Sequence, residues 1–166
     1  STSSSYDVQT PVRVGSLSNV TNAWAGGDVS YAQLADGSFY GWGYNGYGQV
    51  GIGTTTAQVA SPTRVTALSN VRGLSVGGGH MLALKEDGTV WTWGLNNSGQ
   101  LGINSTSAKT SPVQVTGIGA MVQIGAGYNH SLTMDAKGSV YGWGLNAGYQ
   151  VGDGTAANRL VPTLYK

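Results

Sequence analysis

The chain has no cysteine among its 166 residues, which excludes a disulfide framework and any thiolate metal site. Charge is almost as scarce: Asp, Glu, Lys and Arg make up 9% of the chain, where soluble domains average about 25%. The net charge of +1 provides no field to gather nucleic acid or an anionic membrane surface, so neither is expected as a partner. No apolar run approaches the roughly 18–20 residues of a membrane span, so membrane insertion is not expected. Prolines number four and phenylalanines one, and no window carries a sustained 3.6-residue apolar stripe. Helix-length segments free of glycine are rare.

Glycine is abundant instead, at 28 residues, with Ser and Thr close behind. Such a chain is solvated by hydroxyls, amides and backbone rather than by ions. This composition suits a secreted or cell-surface protein, in which case the sequence corresponds to a mature form. The opening "STSSSYDVQT", residues 1–10, reads as a flexible polar lead-in.

One loop is written three times: "WGYNGYGQVG" at 42–51, "WGLNNSGQLG" at 93–102 and "WGLNAGYQVG" at 143–152. Its tryptophans, Trp42, Trp93 and Trp143, are separated by 51 and 50 residues. Pro11, Pro62, Pro112 and Pro162 are separated by 51, 50 and 50. These landmarks divide the chain into repeats at 11–61, 62–111 and 112–161, with a closing strand-like segment at 162–166. Within the second repeat, "TRVTAL", "VRGLSV", "HMLALKEDG" and "TVWTWG" alternate apolar and polar positions, as half-buried strands do. Asp36-Gly37 and Asp87-Gly88 predict two-residue hairpin turns with both positions at positive φ, and Lys137-Gly138 keeps only the glycine. Four strands in a unit of about 50 residues is the sequence signature of a β-propeller blade, so the expected fold is all-β.

The segments "GGGHMLALKEDGTVWTWGLNNSGQLG" (77–102) and "GAGYNHSLTMDAKGSVYGWGLNAGYQVG" (125–152) resemble the repeat of the regulator of chromosome condensation family. Residues 25–51 are similar, with Val29 where the others have His80 and His130. Kelch repeats have similar length and a double glycine, but not Trp-Gly-x-Asn followed by Gln-x-Gly. The resemblance implies a propeller, usually a seven-bladed ring. Known members include an exchange factor for the Ran GTPase, ubiquitin-ligase adaptors, a plant light sensor and a secreted β-lactamase inhibitor. The chromatin-linked role fits poorly, because no basic tail is present.

Three blades cannot close such a ring, so the expected arc is an open, partial propeller with two bare end faces. If each exposes several hundred Å² of apolar surface, the forgone burial is on the order of 10 kcal/mol per face at ~25 cal/mol/Å². Soluble monomers rarely carry patches of that kind. The arc is therefore expected to assemble, with itself as a homo-oligomer or polymer, or with further blades of a longer chain.

Nothing in the sequence assembles a catalytic set. His80 and His130 obey the repeat, which marks them as structural positions, and Val29 shows that the histidine is dispensable. Asp36, Asp87 and Glu86 belong to hairpin turns, and Asp153 lacks the acidic companions of a calcium loop. "AGGD" and "VGGGH" lack the following helix that a phosphate site needs. No enzyme, cofactor or metal is expected. Trp42, Trp93, Trp143, Gln49, Gln100 and Gln150 read as structural repeat positions, Asn45, Asn96 and Asn146 as turn formers, and Val50, Leu101 and Val151 as plugs between blades. The positions that vary within the loops are candidates for recognition: Tyr44, Tyr47, Asn97, Ser98 and Tyr149. Trp24 joins them, since Ser75 and Gly125 replace it in the other repeats. Two functions follow: a protein-interaction or assembly module, such as an extracellular structural subunit or filament component, or a lectin-like propeller whose tyrosines stack on sugars.

Overall fold

The computed structural model describes residues 10–165, so the lead-in expected at 1–10 falls almost wholly outside the described residues. Twelve strands form three four-stranded antiparallel meanders, and no helix occurs among the described residues. The first sheet holds β1 (Val20–Gly26), β2 (Val29–Leu34), β3 (Ser38–Tyr44) and β4 (Gln58–Ser69). The second holds β5 (Val71–Val76), β6 (His80–Lys85), β7 (Val90–Gly94) and β8 (Lys109–Gln114). The third holds β9 (Met121–Ala126), β10 (His130–Asp135), β11 (Val140–Gly144) and β12 (Arg159–Leu164). These are three blades of an open arc.

The sheets are out of phase with the proline spacing. Pro62, Pro112 and Pro162 each lie inside the last strand of a sheet, where an edge tolerates a residue that cannot donate a ladder bond. "TRVTAL" accordingly belongs to β4 of the first sheet, not to the unit that follows it. The segment 162–165 is likewise the edge of the third sheet. The repeated loop spans the gap from the third strand to this edge, so the edge strand is separated from its sheet in sequence.

The hairpins also differ from expectation. Only the glycine has positive φ, at 79° for Gly37, 81° for Gly88 and 83° for Gly138. Lys85 and Thr89 close a three-residue loop through Lys85 N–H to Thr89 C=O (3.0 Å), and Gly88 N–H donates to Lys85 C=O (3.0 Å). This is the three-residue hairpin with a left-handed glycine, for which aspartate needs no unusual φ. The Asp87 carboxylate instead accepts from Thr89 N–H (3.0 Å) and Thr89 Oγ1 (2.6 Å). Asp36 does the same with Ser38, whose hydroxyl and amide hold its carboxyl below the usual carboxylate range. In the third hairpin Asp135, two residues earlier, caps Lys137 N–H and Ser139 N–H, which explains why lysine can replace the aspartate.

Two apolar seams join the sheets. Val29, Tyr31 and Phe39 of the first sheet meet Met81, Ala83 and Trp93 of the second. Leu82, Leu84 and Val90 of the second meet Met121 and Trp143 of the third. Strand alternation sends odd-numbered residues of β2 and even-numbered residues of β6 and β10 toward the following sheet. Gly138→Ala is expected to cost about 1 kcal/mol, the price of a left-handed alanine, because nothing lies within 4 Å of its new Cβ. Gly88→Ala should cost more, since its Cβ would stand 2.8 Å from that of Ala120. Urea denaturation of the two variants measures the difference.

Candidate interaction site

The repeated loop is built around its asparagine, fully buried in all three copies. Asn96 Oδ1 accepts from Leu101 N–H (2.9 Å), while Nδ2 donates to the carbonyls of Ser105 (2.8 Å) and Ser107 (3.0 Å). Asn45 and Asn146 hold Val50 and Val151 in the same way. The glutamine Oε1 accepts from the N–H two residues earlier, Tyr47, Ser98 or Gly148, each at 2.8 Å, and Gln100 Nε2 also reaches across the second seam to Asn129 Oδ1 at 3.4 Å. The glutamine backbone ties the sheets at both seams. The Gln49 carbonyl accepts from Trp93 Nε1 (2.6 Å), and the Gln100 carbonyl from Trp143 Nε1 (2.8 Å).

Each tryptophan thus hooks the loop of the preceding sheet. Its indole lies so close to Gly51 or Gly102 that an added Cβ would stand 2.9 or 2.7 Å from Nε1. Trp93 and Trp143 are fully buried as a result, whereas Trp42, with no earlier sheet among the described residues, is partly exposed.

His80 completes the second seam. Its Nε2 lies 2.9 Å from Ser131 Oγ, and Ser131 Oγ donates to the Gln100 carbonyl at 2.8 Å. The hydroxyl has one hydrogen, so the imidazole must donate through Nε2. Its Nδ1 is buried and has no partner among the described residues. Burial, then the proximity of His130, pushes the His80 pKa down to about 4. The first seam has Val29 and Met81 at the corresponding positions, an apolar pair.

The candidate recognition residues do not converge on one cavity. Tyr44 and Tyr47 are 38% and 45% exposed and pack edge to face, centroids 6.1 Å apart. They border a cleft of 180 Å³ with Gln49 and Gly77–Gly79. Asn97 is exposed and Ser98 half-buried, with Asn97 Oδ1 accepting from Gln100 Nε2 at 3.3 Å. Tyr149, 63% exposed, stands alone at the outer end of the arc. The order "GYQ" leaves its turn unchanged, because Tyr149 N–H donates to Asn146 C=O as Gly48 and Gly99 donate to Asn45 and Asn96. The tyrosine simply adopts the glycine's conformation, at φ 63°.

Trp24 is not at a loop tip. It lies in β1 and packs into the first seam, 5.8 Å from Phe39. Its counterpart Ser75 also faces the following sheet, accepting from Ala126 N–H at 2.9 Å. Sequence reasoning missed Tyr31, buried with its hydroxyl donating to the Gln49 carbonyl. It also underused Asp153, which pairs with Arg159 and accepts from Thr155 N–H and Asn146 Nδ2. Despite the desolvation that opposes it, these bonds bring the Asp153 pKa to about 2. Among the described residues no three His, Asp or Glu side chains gather as metal ligands.

The geometry of loop, hook and meander is that of the regulator of chromosome condensation (RCC1) repeat, which matches residues 36–84, 87–134 and 137–166. The chain belongs to this repeat family. It is 44% identical over 75 residues to human HERC3, a probable E3 ubiquitin-protein ligase, covering 44% of this chain and 7% of that protein. With human HERC6, another probable E3 ubiquitin-protein ligase, identity is 41% over 105 residues, 60% of this chain and 10% of the relative. Yeast RCC1 (Prp20), in its crystal structure with Kap60, superposes with a TM-score of 0.84 at 26% identity. That match covers 91% of this chain and 38% of the yeast protein. The chain therefore spans only a small part of each ligase and under two fifths of the yeast propeller.

Two outcomes test the site. Asn96→Ala is expected to destabilise by about 3 kcal/mol, since it strands a buried N–H and two carbonyls, while exposed Asn97→Ala changes stability by less than ~1 kcal/mol. Chemical denaturation distinguishes them. The second outcome concerns pH. The folded His80 pKa is depressed, so its neutral form stabilises the fold above about pH 6.5, and this is lost as pH falls through about 4. The loss should reach on the order of 3 kcal/mol. In His80→Val the unfolding midpoint should be much flatter between about pH 6.5 and 5, keeping the smaller slope of His130, whose pKa burial also lowers. At lower pH the depressed carboxyls of Asp36, Asp87, Asp135 and Asp153 add their own loss.

Proposed function

We propose that this arc is a non-enzymatic protein-interaction and assembly module, whose two open blade faces join other blades or subunits. The observation that carries this reading is the contrast between the seams and the ends. Leu82, Leu84 and Val90 are buried beneath a following sheet, but Leu132, Met134 and Val140, their counterparts on the third sheet, border an open apolar hollow of 230 Å³. At the other end, Trp42 borders an open cleft of 480 Å³. The yeast RCC1 structure with Kap60 supports a role in protein recognition by this fold. Sparse charge, absent cysteine and abundant Ser and Thr favour an extracellular or surface-bound structural subunit.

A lectin-like role is the second reading, supported by the exposed edge-to-face pair of Tyr44 and Tyr47. Aromatic faces of this kind can stack on sugar rings, with neighbouring amides to hold hydroxyls. Native mass measurement separates the two readings when combined with a glycan array. The assembly reading expects multiples of the 17.0 kDa chain, or a stable protein complex, and no glycan hits. A folded, dispersed monomer that binds glycans and no protein would replace it with the second reading.

A further inference from the structure

The two ends of the arc are the separated halves of one seam. The second seam pairs His80 with Ser131, and hooks Trp143 to the Gln100 carbonyl. In the repeat, His130 and Gln150 on the third sheet correspond to His80 and Gln100, whereas Ser30 and Trp42 on the first sheet correspond to Ser131 and Trp143. The ladders confirm the register: Ser30 pairs with Trp42 as Ser131 pairs with Trp143, and His130 pairs with Gly144 as His80 pairs with Gly94. Both interior seams match in kind, valine to methionine and histidine to serine. The ends match in kind as well, with a histidine at one and a serine at the other.

Size is complementary too. At the seams the loop glycine meets the edge strand of the next sheet. A Cβ on Gly48 would stand 2.7 Å from Thr110 Cα, and one on Gly99 would stand 2.4 Å from Leu160 Cδ2. At the ends the sizes are exchanged: the loop carries Tyr149, and the edge position matching Thr110 and Leu160 is Ala60. Ala60 lines the open cleft with Trp42, Tyr44 and Val59. Among the described residues Tyr149 is a knob without a hole, and that cleft is a hole without a knob.

Resting on the assembly reading above, we propose that the occupant of the open faces is a second copy of this chain, docked head to tail. Tyr149 of one copy enters the Trp42 cleft of the next. His130 meets Ser30, and Trp42 Nε1 donates to the Gln150 carbonyl. The junction is a variant of the second seam, in which the edge strand backs away to admit the Cβ of Tyr149. Two segments must move aside. The Tyr165 ring now lies against Gly152, where the seams hold a tryptophan, and it swings away as Trp42 arrives. Residues 11–14, exposed and outside every strand, repeat the positions of 162–165, so one of these segments occupies the joined edge. Such a heterologous contact closes into a ring or propagates as a filament.

Cysteine trapping tests the arrangement cleanly, since the chain has no cysteine of its own. Gly125 and Ala25 correspond to Ser75 and Ala126, in contact across the second seam at 2.9 Å. Gly125 has nothing within 4 Å of a new Cβ, and Ala25 is exposed. Oxidising a mixture of the Gly125→Cys and Ala25→Cys proteins should give the mixed covalent dimer well above either homodimer. Tyr149→Gly should raise the urea midpoint of the monomer by removing a left-handed tyrosine, yet weaken self-association at least tenfold. Equal yields of all three dimers, or unchanged association of Tyr149→Gly, would overturn the head-to-tail junction. Multimers by native mass without the mixed dimer would overturn this junction while leaving the assembly reading standing. A folded monomer that neither associates nor captures protein would end both.

Discussion

Everything in this arc depends on one bond made across each seam, from a tryptophan indole to the backbone carbonyl of the preceding loop's glutamine. A buried carbonyl left without a partner costs free energy comparable to a lost hydrogen bond, so that loop requires its neighbour's tryptophan. The tryptophan in turn requires the adjoining glycine, because no Cβ fits beneath the ring. The internal asparagine fixes where the carbonyl points. Stability therefore belongs to pairs of neighbouring sheets more than to any single sheet, as in other repeat architectures.

The fold was largely legible in the sequence, and the reason is periodicity. Trp42, Trp93 and Trp143 recur with Pro11, Pro62, Pro112 and Pro162, and alternation between them yields strands. What the spacing lacks is phase. A repeat can be cut anywhere, and the prolines, its clearest marks, fall within edge strands rather than between sheets. The assignment of "TRVTAL" to the wrong sheet follows from that. The expected aspartate φ erred for a related reason, since Asp-Gly serves both two- and three-residue hairpins and only backbone geometry distinguishes them.

The site was less legible because its main contacts are made by backbone atoms. A carbonyl accepting an indole N–H across a seam leaves no mark on residue type. Uniqueness among repeats makes Trp24 a candidate for recognition, but its position faces the first seam. Tyr149 attracted notice as a variable residue, but its significance lies in what it replaces. The same position is glycine in the loops of the first two sheets, and tyrosine in that of the third.

The differing polar character of the two seams has a consequence for the order of the blades. Were the second and third repeats exchanged, Val29 would face Ser131 and His130 would face Met81. The imidazole would then be enclosed without its hydroxyl, and the hydroxyl enclosed without its imidazole. The three repeats are alike enough to share a shape, yet they are not interchangeable parts. Each carries on its faces a chemical address that restricts its neighbours, and the linear order of the chain is written in those addresses as well as in its covalent bonds.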